Sequence, residues 1–147
     1  MTIEATGWAT DENALTDFLG EPNLCRVATI DEAGEPHVVP AWFWWDGVSF
    51  HVRAQAGDRK VAHVRARGRA GIEIDGDIRR KRGVFARGTA QVVDGYDGLR
   101  EYVRITTEQV RRYQPDRPPH ETAERYARSG EPVVIVITPE RLISWGR

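Results

Sequence analysis

Three of the chain's five tryptophans, Trp42, Trp44 and Trp45, fall within four positions of one strand-like segment, residues 36–45. A strand this aromatic cannot leave either face in water, because each large ring brings apolar area that must be covered. The following Asp46-Gly47 pair is a strong short-range hairpin signal. The expectation is therefore a hairpin, with 36–45 as one arm and 48–54 as the other. By the period of two, Trp42 and Trp44 share a face that Trp45 does not. In the second arm Val48, Phe50, Val52 and Ala54 share the core face and Ser49, His51 and Arg53 the opposite one, where His51 and Arg53 read equally as a half-exposed strand face or as a cofactor contact. One face of the first arm can fill a core. The other needs a ligand or a second subunit, and a homodimer is the economical answer.

Just past the hairpin stands Asp58-Arg59-Lys60, opening a short helix over 60–67 that Gly68 closes. A strand, a tight loop and a cationic helix start is where a phosphate can be held. Two cations at a helix N-terminus oppose the macrodipole, by about 0.3–1 kcal/mol each. A bound phosphate turns that cost into a gain and adds charge-assisted hydrogen bonds. An aromatic hairpin with a phosphate clamp points to a planar, phosphorylated cofactor.

The rest of the chain supplies a frame. Thr10 is expected to cap a first helix carrying Leu15, Phe18 and Leu19 on one face. Residues 24–30 read as a strand. Ala70, Ile72 and Ile74 alternate along another, and a third is expected over 82–93. Leu99, Tyr102, Val103, Thr106, Val110 and Tyr113 follow helical spacing, and 120–129 reads as a further short helix. A β-branched strand over 132–138 is interrupted by Pro139 and resumes as an extended tail at 142–145. Strands this closely spaced favour a mainly β (α+β) fold, a six-stranded antiparallel barrel with peripheral helices. The 147 residues fit a single domain, 1–147.

Composition narrows the partners. Lys and Arg number 21 against 22 Asp and Glu, which leaves no basic field for nucleic acid. The densest cationic run, Arg79-Arg80-Lys81-Arg82, reads as a solvated turn. No apolar run approaches the ~20 residues of a membrane span, and the first residues lack the pattern of a signal peptide. Cys25 is the single cysteine, so no intrachain disulfide is expected. A cytoplasmic location is the default expectation. His37, His63, His120 and Cys25 show no metal-ligand spacing. No nucleophile–base or paired-carboxylate arrangement can be read from spacing, so the catalytic residues stay unassigned. That fits a redox enzyme whose cofactor carries the chemistry.

At three places the chain resembles the flavin- and deazaflavin-binding split-barrel superfamily, relatives of pyridoxamine 5′-phosphate oxidase. These are Ala28-Thr29-Ile30 with Gly34-x-Pro36, Pro40-x-Trp42-Phe43 with Asp46-Gly47, and Asp58-Arg59-Lys60 with Val61 and Val64 behind it. The resemblance implies a split β-barrel homodimer with its cofactor, coenzyme F-420 (a deazaflavin) or FMN, in a groove at the interface. It implies that Arg59 and Lys60 hold the phosphate. It places the ring system along Val39, Pro40, Ala41 and Trp42, and along Val52, Arg53 and Ala54. Trp145, in the closing stretch up to Arg147, would lie near the groove. The implied activity is hydride transfer to a small organic acceptor. The chain lacks the longer C-terminal segment with the oxidase's Arg-x-His pattern, which argues against oxidation of a B6 vitamer. An FMN-dependent oxidase-like enzyme and a non-catalytic flavin, deazaflavin or haem carrier remain as alternatives.

Overall fold

The computed structural model describes residues 3–146; Met1, Thr2 and Arg147, the last residue of the expected closing stretch, lie outside them. Its strands are β1 (Glu4–Thr6), β2 (Cys25–Ile30), β3 (Pro36–Ala41), β4 (Trp44–Trp45), β5 (Phe50–Gln55), β6 (Arg69–Asp75), β7 (Gly83–Val93) and β8 (Pro132–Trp145). Four α-helices join them: α1 (Glu12–Leu19), α2 (Arg59–Arg67), α3 (Gly95–Tyr113) and α4 (Pro119–Ala127). The sheet order is β3-β2-β6-β7-β8-β5-β4, with β1 added in parallel beside β8. Every other pairing is antiparallel.

That order makes the sheet curl. β3 and β4 stand at opposite ends of it, yet only Trp42 and Phe43 separate them in sequence. Seven flat strands at ~4.8 Å spacing would hold the ends roughly 29 Å apart. Three Cα–Cα steps span at most about 11 Å. The sheet must therefore wrap into a barrel, and Phe43, with no exposure, plugs the join beside Phe50. The expected class, a mainly β split barrel with peripheral helices, holds. The strand number is eight rather than six, because β1 and β4 are too short to show a period.

The hairpin expectation needs correction. Residues 36–45 do not form one arm: β3 pairs with β2, and only Trp44 and Trp45 pair with β5. The turn is wider than two residues. Asp46 accepts from the amides of Val48 and Ser49 through its Oδ1, and Gly47 takes a positive φ of 97°. Val48 therefore sits in the turn, exposed, while Phe50, Val52 and Ala54 fill the core. Trp45 packs on Phe50, whereas Trp44 turns to the other side, as the period of two requires.

Other boundaries shift for local reasons. Thr10 ends a 3-10 turn, and Asp11 caps α1, its carboxylate accepting from the amides of Asn13 and Ala14. Pro139 does not interrupt β8. Opposite it stands Gly88, where the register slips. A Cβ on Gly88 would lie 2.0 Å from the Thr138 carbonyl oxygen. Glycine lets the two strands close up there, so the bulge absorbs the proline. The bulged Glu140 then receives both guanidinium nitrogens of Arg69, at 3.1 and 3.0 Å.

The barrel interior holds Cys25, Val27, Val61, Ile72, Ile74, Val84, Ile135 and Leu142, among others. Burial pushes the Cys25 thiol up to about 12, so at neutral pH it carries almost no thiolate. A thiol-reactive dye at pH 8 is expected to leave the native protein unlabelled and to label one site on denaturation. Rapid native labelling would show that the barrel opens around Cys25.

Candidate functional site

The start of α2 has the features of an anion receptor. Asp58 occupies the N-cap position, but its side chain does not cap the helix. Instead its Oδ2 turns back to accept from the Gln55 amide at 2.9 Å and from Lys60 Nζ at 3.1 Å. The first-turn amides of Arg59 and Lys60 consequently have no side-chain acceptor. Burial opposes ionisation of Asp58, yet the Gln55 amide and Lys60 outweigh it and hold the carboxyl below its ordinary range. The Lys60 side chain is only 14% exposed, fixed by this contact. Arg59 is exposed and, among the described residues, has no ion-pair partner. A cleft of about 690 Å³ opens beside this loop, lined by Ala56, Arg65, Asp94, Gly130 and Pro132 among others.

The second cluster lies on the outer face of β5, under α3 and α4. The Arg53 guanidinium sits 4.6 Å from the Trp42 ring, 5.2 Å from Tyr126 and 5.8 Å from Tyr102. Trp42 also stacks on Tyr113 at 4.8 Å with an interplanar angle of 10°. The barrel's wrap is what brings Trp42, just past β3, onto Arg53 of β5. His51, expected to be half-exposed or a cofactor contact, is 7% exposed, and its Nε2 lies 2.7 Å from Asp46 Oδ2. Burial works against the Asp46 charge, but the Ser49 amide, His51 and the Val48 amide outweigh it and lower its pKa. The Trp42 and Trp44 end of the face that seemed to need a ligand or subunit is thus covered from within, by Tyr102 and Tyr113 of α3 and Arg112, which lies 4.9 Å from the Trp44 ring, while Pro36, Val38 and Pro40 of β3 stay exposed.

The remaining predicted site residues are dispersed. Val52 and Ala54 point their side chains into the core, so only their backbone faces outward. Val39 and Ala41 are half-buried against the core, and Pro40 is exposed on the edge strand. Trp145 lies at the far end of β8 from Pro132, the residue that pairs with Gln55. That is roughly 40 Å of strand away from the helix start. There Trp145 covers Gly83 and its carbonyl accepts from Trp8. One chain therefore does not bring Trp145 to Arg59 and Lys60. The run at 79–82 is largely engaged: Arg79 with Asp77, Arg80 with Glu21, and Arg82 over Trp8 at 3.8 Å.

A further cleft, about 730 Å³, lies on the outer side of α3 between Asp97 and His120 and is lined by none of the predicted residues. Among the described residues no group of three or more His, Cys, Asp or Glu could hold a metal ion, and no helix is long and apolar enough to cross a membrane. The roles of Asp58, Tyr102 and Tyr126 escaped sequence reasoning. Tyr102 carried only a helical-spacing signal and Tyr126 only a place in a short helix, and both read as packing. Asp58 stood inside the motif that was noticed, and its N-cap position hid the fact that its carboxylate turns the other way.

These features define a split-barrel domain with a cationic helix start at the end of β5. The sequence profile of pyridoxamine 5′-phosphate oxidase matches residues 12–146, and the chain belongs to that family. None of the curated proteins is significantly similar in sequence. Solved structures share the fold. A conserved hypothetical protein from Mycobacterium tuberculosis is 24% identical, with a TM-score of 0.76 over 92% of this chain and 84% of that one. A structure named as an F-420 reductase is 20% identical, with a TM-score of 0.67 over 86% and 93%. The haem storage protein HutZ from Vibrio cholerae is 17% identical, with a TM-score of 0.68 over 89% and 92%.

Proposed function

We propose that this protein is a homodimeric oxidoreductase that binds coenzyme F-420 or FMN and passes hydride between it and a small organic acceptor. The observation that carries the reading is the start of α2: two amides without a side-chain cap, an ion-pair-free Arg59 and a Lys60 held in place by Asp58. That donor set fits a phosphate group. When bound, the deazaflavin or flavin supplies the hydride chemistry. The protein's part is to hold the phosphate through Arg59, Lys60 and the first-turn amides. Its aromatic and apolar walls keep water from the reacting face. Asp58 aims Lys60, and a phosphate arriving there shares the ammonium with its carboxylate. Membership of the family and likeness in fold to an F-420 reductase support the choice of cofactor class.

The dimer is part of the proposal. β3 is an edge strand, with Val38 60% exposed. Leu24 and Ile30 are also exposed on β2 or next to it, and a shallow cleft of about 480 Å³ between them and β7 is lined by Val38, Ala28, Ile72 and Phe85 with the charged Arg26, Glu73 and Asp75 at its side. An apolar edge and face of this kind are normally covered. A second copy would cover them, and would supply the route by which Trp145 reaches the other subunit's groove. Light scattering at micromolar concentration is expected to give about twice the 16.6 kDa chain mass. A monomer that binds cofactor at full affinity would refute the shared groove.

The reading is tested by titrating the purified protein with F-420 and with FMN, followed by cofactor fluorescence. Binding of one of them at micromolar concentration, with reduction of an enone or quinone acceptor by the reduced cofactor, is expected. Binding without any turnover would favour a carrier, a reading that the haem storage relative makes specific enough to include haem in the titration. Failure of every cofactor to bind removes the reading.

A further inference from the structure

The Arg53 cage holds a charge that the fold itself does not answer. None of the ion pairs of the described residues includes Arg53, and its Nη1 is buried without a hydrogen-bond partner. Its neighbours are aromatic faces, Trp42, Tyr126 and Tyr102. Ring faces attract the cation along the normal to its plane. The ring faces do not accept from its N–H donors, which lie in the plane and match the two oxygens of a carboxylate; the Tyr102 hydroxyl offers one neutral acceptor, and Nη1 is left without any. A guanidinium withdrawn from water with no counter-charge is costly, and the cost is recovered when an anion arrives.

The surroundings strengthen the point. Tyr102 of α3 lies at Arg53, and Arg112, further along α3, lies over Trp44, the residue that pairs with His51. The helix stretch between them carries Thr106 and Gln109, both fully buried. The Thr106 hydroxyl, both polar atoms of the Gln109 side chain and His51 Nδ1 also lack partners. Arg53 and His51 share one face of β5, and this helix packs on that face. Among the described residues no carboxylate partners any group in this layer except Asp46, which is taken by His51. Arg53 keeps partial exposure as a residue while its Nη1 is closed off, so an anion must displace a ring of the cage to reach that donor.

We infer that Arg53, framed by Trp42, Tyr102 and Tyr126, is the anchor for a carboxylate group on the small-molecule substrate. The inference deepens the oxidoreductase reading and rests on it in calling the ligand a substrate. The anchor is separate from the phosphate clamp at Arg59 and Lys60.

The test needs no cofactor. Benzoate and its neutral isostere benzamide are titrated into the full chain, followed by tryptophan fluorescence and by the Arg Nε–H signals in an NMR spectrum. Benzoate is expected to bind at least tenfold more tightly than benzamide and to shift one arginine signal. Arg53→Lys, which keeps the charge and the stem but loses the fork, is expected to weaken benzoate at least tenfold. Arg59→Ala is expected to leave benzoate unchanged while weakening F-420 or FMN, so the two readings fail separately. Equal affinity for benzoate and benzamide in the parent protein overturns the anchor whatever the variants do. So does unchanged benzoate binding in Arg53→Lys. If γ-glutamylglutamate binds at Arg53 tenfold more tightly than benzoate, the anchor belongs to an acidic cofactor tail, and the substrate assignment is overturned.

Discussion

Lys60→Ala is expected to weaken binding of F-420 or FMN by more than tenfold while leaving the fold intact. The ammonium is only 14% exposed and is steered by Asp58, so it is already positioned for a phosphate at the start of α2. One charge-assisted hydrogen bond is worth roughly 1.5–3 kcal/mol, and each ~1.4 kcal/mol is a factor of ten in affinity. Arg59→Ala should act similarly, because no carboxylate of the described residues competes for it. The double variant should come close to losing the cofactor. Lys81→Ala, in the exposed turn, is the control for simple loss of positive charge. Circular dichroism should show the same secondary structure in all four variants. If Lys60→Ala binds as the parent does and Lys81→Ala does not, the phosphate lies elsewhere.

Gly88→Ala is expected to destabilise the barrel strongly. Its new Cβ would stand 2.0 Å from the Thr138 carbonyl oxygen and 2.9 Å from Pro139 Cα. Both are backbone atoms of the neighbouring strand, so no side chain can swing aside. Overpacking typically costs ~1–3 kcal/mol, and a side-chain carbon set against backbone stands at the top of that range, about 3 kcal/mol. At ~2–4 °C per kcal/mol for a domain near this size, thermal unfolding should fall by roughly 6–12 °C. Gly57→Ala is the comparison, since its Cβ meets nothing within 4 Å and its φ is not positive. That change should be neutral or slightly stabilising, because it restricts the unfolded chain. An unaltered melting temperature for Gly88→Ala would mean that β7 and β8 do not close up at the bulge.

The amino-acid pattern alone determined the elements whose signals are local. Alternation of Ala70, Ile72 and Ile74 marks β6, the 3.6-residue period marks α3, and Gly68 with φ 66° ends α2 where expected. The cations at the start of α2 were also legible, since a helix start and its charges lie within a few residues. What the pattern could not show was pairing between distant segments. Residues 36–45 look like one continuous arm because every position favours a strand. The break at Trp42-Phe43 exists because β2 and β5 compete for the two halves across the curled sheet. Pro139 reads as an interruption unless Gly88, fifty residues earlier, is known to face it. Arg53 reads as half-exposed or as a cofactor contact until α3 and α4 close over it, and nothing local in the sequence shows that β8 carries Trp145, within one chain, to the other end of the barrel from α2. Periods and caps are set by neighbours along the chain and so are written in the sequence. Which faces meet is decided by burial across the whole sheet, and that energy has no local signature.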